Sequence, residues 1–418
     1  MIKLRWAIAG FGLGTFIIAL TVPHFFYVNI PCQDDWTLVP IVGRILDGKA
    51  SFADFWSFRS EHRIFFPRLI LCHWGAWTHW EMSLIPWLNL ALLLVATICI
   101  YWLSGLAQRP FWKDHVFWLV CIFTFSFHAI KTVLWVIQFH TFLTVALAVL
   151  AITVIAEEPL SVKRWLIAVL LAGIATFSFG EGLALWFAIF PLLIAAKSSR
   201  HFLKIVFLWI GSAVFCFAVY FHGFPYYHHH PSIPFVIHDP LYTMRFFLDY
   251  VGALFFPFST DLFGALGLLL FLIMAEDVYR RDRQNNLSKG LLAVILFVLG
   301  NAFIISLARS HYAILGAVVD RYIPVSCFLW ASIVVWMVRK NRNPFFVSIP
   351  LFLIIFVISI TPFHWKDQQE NKEFLLATEN ILRKESQTEE ELQSLFSEPR
   401  LVEKSILIMK KEKLSIFR

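Results

Sequence analysis

Two adjacent carboxylates, Asp34 and Asp35, stand in the motif QDDW just after the first apolar segment of the chain ends. About one helix-length further on, the motif EHR supplies three more ionisable residues, Glu61, His62 and Arg63. A carboxylate can accept a proton from a hydroxyl or an amine, and an arginine can hold a phosphate leaving group through paired hydrogen bonds. This combination of residue types is typical of a group-transfer reaction.

Further polar residues follow where other apolar segments end, and we predict that they join the first cluster in one cavity. Ionisable side chains in a membrane protein are costly unless they face water or a partner, so they indicate function by default. The predicted catalytic residues are Asp34 and Asp35, and the predicted substrate-binding residues are Glu61, His62, Arg63, Gln138, Glu181, Arg309 and Arg321.

Each of these residues also has a structural interpretation. Asp34 is of a type that caps helices, and Glu61 could form an ion pair with Arg63. Glu181 stands between two glycines, where it could bond the backbone of a tight hairpin. Two basic residues could simply anchor the edge of the membrane, Arg309 and Arg321. The sequence alone leaves these alternatives open.

The composition excludes an ordinary soluble domain. The chain of 418 residues is 59% hydrophobic and only 15% charged, with a mean hydropathy of +0.70. Apolar stretches long enough to cross a bilayer predict an all-α, polytopic membrane protein with about eleven transmembrane helices. These spans are expected near residues 6–28, 82–104, 114–130, 139–156, 165–180, 182–196, 202–222, 250–275, 290–308, 322–338 and 344–362.

Basic residues predict the orientation of these spans. Clusters around Lys163, Lys197, Arg281 and Arg339 fall in alternate loops, which the positive-inside rule places in the cytoplasm. The first span follows two basic residues and is expected to be an uncleaved signal anchor. The net charge of +7 is therefore an orientation signal and gives no support to nucleic-acid binding. We expect a multi-pass protein of the plasma (inner) membrane whose active site faces outward.

The chain is predicted to have two parts. Residues 1–365 form the transmembrane domain, in which 29–81 is the first extracytoplasmic loop, and residues 366–418 form a charged helical tail on the outer face. Apolar residues recur at helical spacing from Leu38 to Leu46, and the segment 64–80 is rich in tryptophan. Both segments are therefore predicted to be helices that lie in the membrane interface.

The remaining motifs give little support to metal or nucleotide chemistry. The six cysteines are too few for a disulfide scaffold, although a bond between Cys32 and Cys72 would staple the first loop, and the sequence leaves that pairing open. The histidine run 228–230 is expected to be a solvated loop, because adjacent residues rarely converge on one ion. The sequence has no phosphate-binding GxxxxGK[ST] motif and no CxxC pair.

With its acidic motif QDDW in the first outer loop and its EHR…PRL segment before the second span, the chain resembles the GT-C superfamily of integral-membrane glycosyltransferases. The resemblance implies a polyprenyl-phosphate-linked sugar as donor, a glycan, lipid or protein acceptor outside the cytoplasm, and inversion at the sugar. It implies that Asp34 or Asp35 is the base and that three arginines are candidates to hold the lipid phosphate, Arg63, Arg309 and Arg321. No cofactor is required, although the paired carboxylates leave Mg²⁺ or Mn²⁺ as an option. A departure from the family is the absence of a large folded carboxy-terminal domain.

Two other kinds of protein share these features. A flippase or other transporter of lipid-linked glycans would line a path with the same charges, but it would place them near the bilayer midplane and often shows two related halves. An O-antigen polymerase or ligase would depend on arginines of late loops rather than on an early acidic pair. Polar residues that gather at one face favour the glycosyltransferase, an enzyme of cell-envelope glycan biosynthesis that is embedded in membrane lipids.

Overall fold

Helices make up almost the whole of the described chain. The computed structural model describes residues 2–106, 110–157, 161–197, 200–224, 236–282, 285–310, 320–340 and 345–418. Within these ranges there is no β-strand, and one isolated bridge pairs Arg59 with His62. The predicted all-α class is confirmed. The histidine run 228–230 lies outside the described residues.

The α-helices named below follow in chain order. They are α1 Ile2–Phe26, α2 Val39–Leu46, α3 Phe52–Trp56, α4 Phe65–Trp77, α5 Leu84–Leu103, α6 His115–Thr124, α7 Phe127–Ile130, α8 Phe139–Ala156, α9 Val162–Thr176, α10 Leu185–Ala188, α11 Phe190–Ala196, α12 Phe202–Phe221, α13 Pro240–Val251, α14 Thr260–Arg280, α15 Asn286–Arg309, α16 Ile323–Arg339, α17 Phe345–Ser359, α18 Thr361–Arg383, α19 Glu389–Leu395 and α20 Pro399–Glu412. Short 3₁₀ turns join several of them, and those important for the site are Gln33–Thr37, Gly180–Ala184 and Asp320–Tyr322.

Seven helices of the described chain are long and apolar enough to cross a membrane: α1, α5, α8, α12, α14, α15 and the continuous pair α17–α18. An eighth crossing is added if α6 and α7, which meet at a bend of 56°, count as one broken span. Other predicted spans correspond to shorter helices, because α9 has 15 residues and α16 has 17. The membrane character of the chain follows from the seven long helices, while the number of about eleven stays a prediction.

The helices differ from the predicted segments in two places. The span expected at 250–275 is interrupted, since α13 ends at Val251 and α14 begins only at Thr260. Gly252 and Pro257 lie in this gap, and both residue types break helices. The boundary at residue 365 falls inside α18, which follows α17 almost directly because Pro362 occupies the first turn, where no backbone N–H is needed.

The helix bundle has two distinct polar ends. The 24 residues of α15 make it about 36 Å long, enough to span a bilayer core. At the start of α15, the loops are joined by Arg339, whose Nη1 donates to Ser288 Oγ at 2.8 Å and whose Nη2 lies 3.7 Å from Asp282. Arg309 ends α15 and Tyr322 directly precedes α16, so both residues lie at the other end of these two helices. Lys289, Arg339 and Lys340 are therefore separated from the candidate site by the length of the bundle.

A second apolar core lies beside the bundle, and the first loop builds it together with the carboxy-terminal tail. Trp36, Val39 and Val42 from the loop are completely buried in it. The tail contributes Val402, Ile406 and Met409 from one face of α20, and Leu414, which lies two residues after the end of that helix. Burying each such side chain contributes about 1.5–3 kcal/mol. The predicted charged tail is thus helical, and it is packed against the loop that carries the acidic motif.

Polar contacts fix the register of the tail on the first loop. Lys411 Nζ lies 2.8 Å from Asp47 Oδ1, and Arg418 Nη1 lies 3.7 Å from Glu81 Oε2. The backbone N–H of Ser415 donates to the carbonyl of His79 at 3.0 Å. Exposed ion pairs of this kind contribute little stability, so the apolar face of α20 supplies most of the attachment.

The predicted loop helices are present as α2 and α4, but the apolar face of α2 does not lie free for the membrane. It is covered by α4 on one side and by α20 on the other. The approach is close, because a Cβ on Gly43 would lie 2.7 Å from Ile408 Cγ2. Helix α4 keeps exposed apolar side chains, Ile70 and Trp77, as an interfacial helix requires.

The open question of a loop disulfide is answered by the structure. Cys32 and Cys72 are both free thiols, as are the other four cysteines. Cys72 is fully buried in the second core, where it packs as a small apolar residue. The first loop is therefore held by packing against the tail rather than by a covalent staple.

Replacing Met409 by aspartate should release the tail, because a charge would enter a site that is 0% exposed. We expect trypsin to cleave the tail of the detergent-solubilised variant at least about tenfold faster than in the wild type, since a buried charge costs several kcal/mol. Leu407→Asp is the matched control, because Leu407 lies two residues away on α20 and is 63% exposed. Equal cleavage rates in the two variants would mean that the tail is not docked through this face.

Candidate functional site

A cleft of about 520 Å³, including the part open to solvent, lies at the end of the bundle next to the first loop. Six separate segments of the chain line it. The lining residues are Asp34, Thr37, Arg59, Ser60, His62, Ile64, Ile137, Gln138, His140, Phe179, Arg309, Arg321 and Tyr322. Five predicted site residues therefore meet in one place: Asp34, His62, Gln138, Arg309 and Arg321.

The two aspartates of the acidic motif point to different environments. Both lie in the 3₁₀ turn Gln33–Thr37, where successive side chains leave the backbone in different directions. The side chain of Asp34 is 42% exposed and lines the cleft, and its Oδ1 lies 3.1 Å from Arg59 Nη2. Asp34 is the member of the pair that can reach a substrate.

Asp35 is buried and holds the turn in place. Its Oδ1 accepts a hydrogen bond from the backbone N–H of Ile137 at 2.8 Å, and its Oδ2 accepts one from the N–H of Cys32 at 3.2 Å. Burial raises the pKa of Asp35 to about 7, against the effect of these two hydrogen bonds. The residue is not among those that line the cleft. Its geometry is that of a structural bridge between the first loop and the bundle.

Glu61, His62 and Arg309 form a compact polar group beside the cleft, to which His62 and Arg309 contribute lining side chains and Glu61 does not. Arg309 Nε donates to Glu61 Oε1 at 2.9 Å, and His62 Nε2 lies 3.3 Å from the same oxygen. Burial raises the pKa of Glu61, but the hydrogen bonds from His62 and Arg309 outweigh it and hold this pKa well below its ordinary value. Burial lowers the pKa of His62 below its ordinary value, and this effect outweighs the hydrogen bond and the charge of Glu61, which raise it.

Aromatic packing sets the orientation of the two histidines in the cleft. The ring of Phe179 lies between them, with centroid distances of 4.3 Å to His62 and 4.0 Å to His140. The next residue has no room for a side chain, because a Cβ on Gly180 would lie 2.8 Å from His62 Nδ1. The tight turn predicted around this glycine therefore serves to bring Phe179 against the cleft.

Two side chains in the lining have hydrogen-bonding capacity to spare. The guanidinium of Arg321 makes no hydrogen bond or ion pair with the described part of the chain, and its nearest aromatic contact is Tyr322, with 5.5 Å from Cζ to the ring centroid. Gln138 accepts a hydrogen bond from Thr141 through Oε1, while its amide nitrogen has no partner among the described residues. Both can donate to an anionic or hydroxyl-rich ligand.

Glu61, Arg63 and Glu181 are not part of the cleft lining, although the sequence suggested them as substrate-binding residues. Arg63 is buried, and its three guanidinium nitrogens donate to the backbone carbonyls of Trp56, Tyr220 and His222. These bonds tie the first loop to the end of α12 and hold the guanidinium outside the cleft lining. Glu181 is 1% exposed, and neither of its carboxyl oxygens has a partner among the described residues.

Arg59, which lies beside Asp34, was not predicted from the sequence. It stands three residues before His62 in the segment RSEHR, and its place next to the polar motif could have made it a candidate. His140 was also missed as a lining residue, although it lies two residues after Gln138. Nothing in the spacing indicated that either side chain would face the cleft.

The positions of Asp34 and Asp35 determine whether the two carboxylates could bind a divalent cation together. Both oxygens of Asp35 are engaged by backbone N–H groups, so the two aspartates do not converge as a pair of cation ligands. Within the described ranges there is no group of three or more His, Cys, Asp or Glu side chains that could hold a metal ion. Asp34 would have to hold Mg²⁺ or Mn²⁺ without the help of its neighbour.

Comparisons with protein-family models, with curated proteins and with solved structures each gave no match to this chain. The site is therefore interpreted from its own geometry.

Replacing Asp35 by asparagine should lower stability in a pH-dependent way. Burial keeps the native carboxyl group protonated up to about pH 7, whereas the unfolded chain releases this proton near pH ~4, so the wild type loses stability progressively across that range. The asparagine does not titrate, and it lacks one acceptor for a buried N–H, at a cost of about 1–3 kcal/mol. The gap in apparent thermal midpoint between wild type and variant should therefore be larger at pH 5 than at pH 8. Asp34→Asn is the control and should shift the midpoint little at either pH, since exposed ion pairs contribute little. A gap for Asp35→Asn that widens towards pH 8 would contradict the assignment.

Proposed function

We propose that this chain is a membrane glycosyltransferase that moves a sugar from a polyprenyl-phosphate-linked donor to an extracytoplasmic acceptor. The observation that carries the proposal is that an accessible carboxylate, Asp34, and a guanidinium without a partner in the described chain, Arg321, line the same cleft. Their positions in the sequence lie far apart, yet the fold brings them to one place. A base for an acceptor hydroxyl and a cation for a phosphate are the two groups that such a transfer needs.

Asp34 takes the role of general base in this proposal. Its carboxylate is open to the cleft, so an acceptor hydroxyl can approach it and lose its proton as the hydroxyl oxygen attacks the anomeric carbon of the sugar. Attack from the side opposite the departing phosphate inverts that carbon. Asp35 supports the reaction indirectly, because its hydrogen bond to Ile137 fixes the turn that presents Asp34.

Arg321 holds the phosphate of the donor, and Gln138 and His62 line the space beside it. Arg309 belongs to a different interaction, because its guanidinium is bonded to Glu61. A guanidinium presents a planar set of donors that matches two phosphate oxygens, and it stabilises the charge that develops as the sugar leaves. The bond from phosphate oxygen to sugar breaks, and the polyprenyl phosphate departs with the electron pair.

The proposed orientation places this cleft on the outer side of the plasma membrane, with the chain crossing the bilayer about eleven times. Support comes from the grouping of basic loop residues at the end of α15 opposite the cleft, since such residues favour the cytoplasmic side. The proposal includes membrane lipids as the surroundings and a glycan, lipid or protein as the acceptor.

A flippase or transporter remains the competing proposal, and the position of the charges speaks against it. The charged residues of the cleft come from loops and helix ends: Asp34 and Arg59 lie in the first loop, and Arg309 is the last residue of α15. A transport path requires polar groups near the middle of the bilayer. A polymerase or ligase that acts on lipid-linked glycans would catalyse a related transfer. It would differ from the proposed glycosyltransferase in the acceptor that receives the glycan.

Asp34→Asn should reduce sugar transfer about a hundred- to ten-thousand-fold, because the amide keeps the shape of the side chain but cannot accept a proton. Donor binding should stay unchanged. The measurement is transfer from a radiolabelled polyprenyl-phosphate sugar to membrane acceptors, combined with donor binding to the purified variant. A loss of less than about tenfold would be too small for a general base. Normal transfer combined with loss of glycan translocation would establish the transporter instead.

Arg321→Ala should raise the KM for the donor about tenfold to a hundredfold, since a hydrogen bond to a charged group contributes about 1.5–3 kcal/mol. Arg321→Lys should recover only part of this loss, because lysine keeps the charge and loses the planar fork. Arg68→Lys is a control for general damage to arginines of this region, as Arg68 is buried and bonds backbone carbonyls of Asp54 and Ser57. An unchanged donor KM in Arg321→Ala would remove the phosphate role.

A further inference from the structure

The carboxy-terminal tail reaches the cleft through a side chain of the first loop, Arg59. Arg59 Nη2 lies 3.1 Å from Asp34 Oδ1, and Arg59 Nη1 lies 3.6 Å from Glu398 Oε1. The guanidinium also lies over the ring of Phe396, with 5.7 Å from Cζ to the ring centroid. One arginine therefore connects the candidate base to two residues of the tail.

The tail also holds the backbone of the turn that carries Asp34. The hydroxyl of Ser405 donates to the carbonyl of Trp36 at 3.4 Å, two residues after Asp34. Ser405 is fully buried, and Val402 and Met409 on the same face of α20 are fully buried as well. The acidic turn is thus held by the bundle through Asp35 and by the tail through Trp36.

We propose that the tail is an integral part of the active site, in which Arg59 and Glu398 are positioning residues that orient the carboxylate of Asp34. This inference rests on the proposed function, in which Asp34 is the general base. Glu398 engages one terminal nitrogen of Arg59, so the other terminal nitrogen is directed at Asp34. Without Glu398, the guanidinium can rotate away, and Asp34 loses its fixed partner.

Asp34, Arg59 and Glu398 are partly exposed, which indicates that their ion pairs orient the carboxylate of Asp34 more than they stabilise the fold. The side chain of Arg59 is 27% exposed and that of Glu398 is 56% exposed. Ion pairs in such surroundings contribute about 0.2–1 kcal/mol to folding, whereas the tail is attached by buried apolar side chains. Small errors in the placement of a reacting group can nevertheless cost a large factor in rate. Changes at Glu398 should therefore act on catalysis and leave the tail docked.

The first test compares three tail variants of the full-length protein. Glu398→Ala should lower the kcat of sugar transfer about threefold to tenfold with an unchanged donor KM. Glu398→Lys should lower kcat further, since a lysine repels Arg59. Glu403→Ala is the matched control, because Glu403 is an exposed carboxylate on α20, and its kcat should equal that of the wild type. A Glu398→Lys variant with the kcat of the wild type would overturn the inference.

A double-mutant cycle separates positioning of Asp34 from a general effect of the tail. In an Asp34→Asn background, Glu398→Ala should cause no further loss of the residual transfer, because the group it positions is already absent. An equal loss in both backgrounds would show that Glu398 acts on something other than Asp34. Trypsin cleavage of the tail at the rate of the wild type confirms that the variant remains docked.

A third measurement does not depend on the reaction. The backbone amides of Arg59 and His62 donate to each other's carbonyls at 2.8 and 2.9 Å, so their hydrogen exchange reports on this loop. Exchange should be at least about threefold faster in Glu398→Lys than in Glu403→Ala. If the wild type shows no sugar transfer, the proposed function fails, and this exchange alone decides whether the tail holds Arg59. Equal exchange in the two variants would overturn the inference.

Discussion

The buried carboxylate of Asp35 is the interaction on which the site depends. It is bonded to the N–H of Ile137, so it joins the first loop to the segment that continues into Gln138 and His140. Burial opposes the charged form of this group and raises its pKa to about 7. An apolar residue would cost less free energy to bury at this position than a carboxyl group does. It would, however, leave two backbone N–H groups without acceptors, so the hydrogen bonds of Asp35 account for a carboxyl group at this site. Of the two adjacent aspartates, Asp34 is thus the candidate for the reaction, and Asp35 holds the first loop against the bundle.

Much of the fold could be predicted from the sequence, because apolar length and helical spacing are local properties. They give the helical class, the long helices and the two helices of the first loop. The broken span near Gly252 was missed because a run of apolar residues hides the effect of one glycine and one proline. The docking of the tail was missed for another reason. The spacing of Val402, Ile406 and Met409 shows that α20 has an apolar face, but it does not identify the partner that covers it.

The candidate site was predicted in outline and not in its details. Ionisable residues at the ends of spans on one side were expected to meet, and Asp34, His62 and Arg321 do line one cleft. Whether a side chain faces the cleft or the protein is decided by contacts that are distant in sequence. Arg63 turns inward because carbonyl groups at the end of α12 accept its hydrogen bonds. Arg59 faces Asp34 because the tail supplies Glu398 on its other side. No local pattern carries this information.

Arg321 is the guanidinium of the cleft that is left for an anionic ligand. Arg309 is matched by Glu61, and Arg59 is matched by both Asp34 and Glu398, whereas Arg321 has no such partner among the described residues. A phosphodiester, as in a lipid-linked sugar, carries one negative charge, and the phosphomonoester that is left after transfer carries about 1.5 to 2. In the proposed reaction the charge of Arg321 therefore interacts more strongly with the leaving group than with the bound donor. That difference between ground state and transition state is what accelerates a reaction.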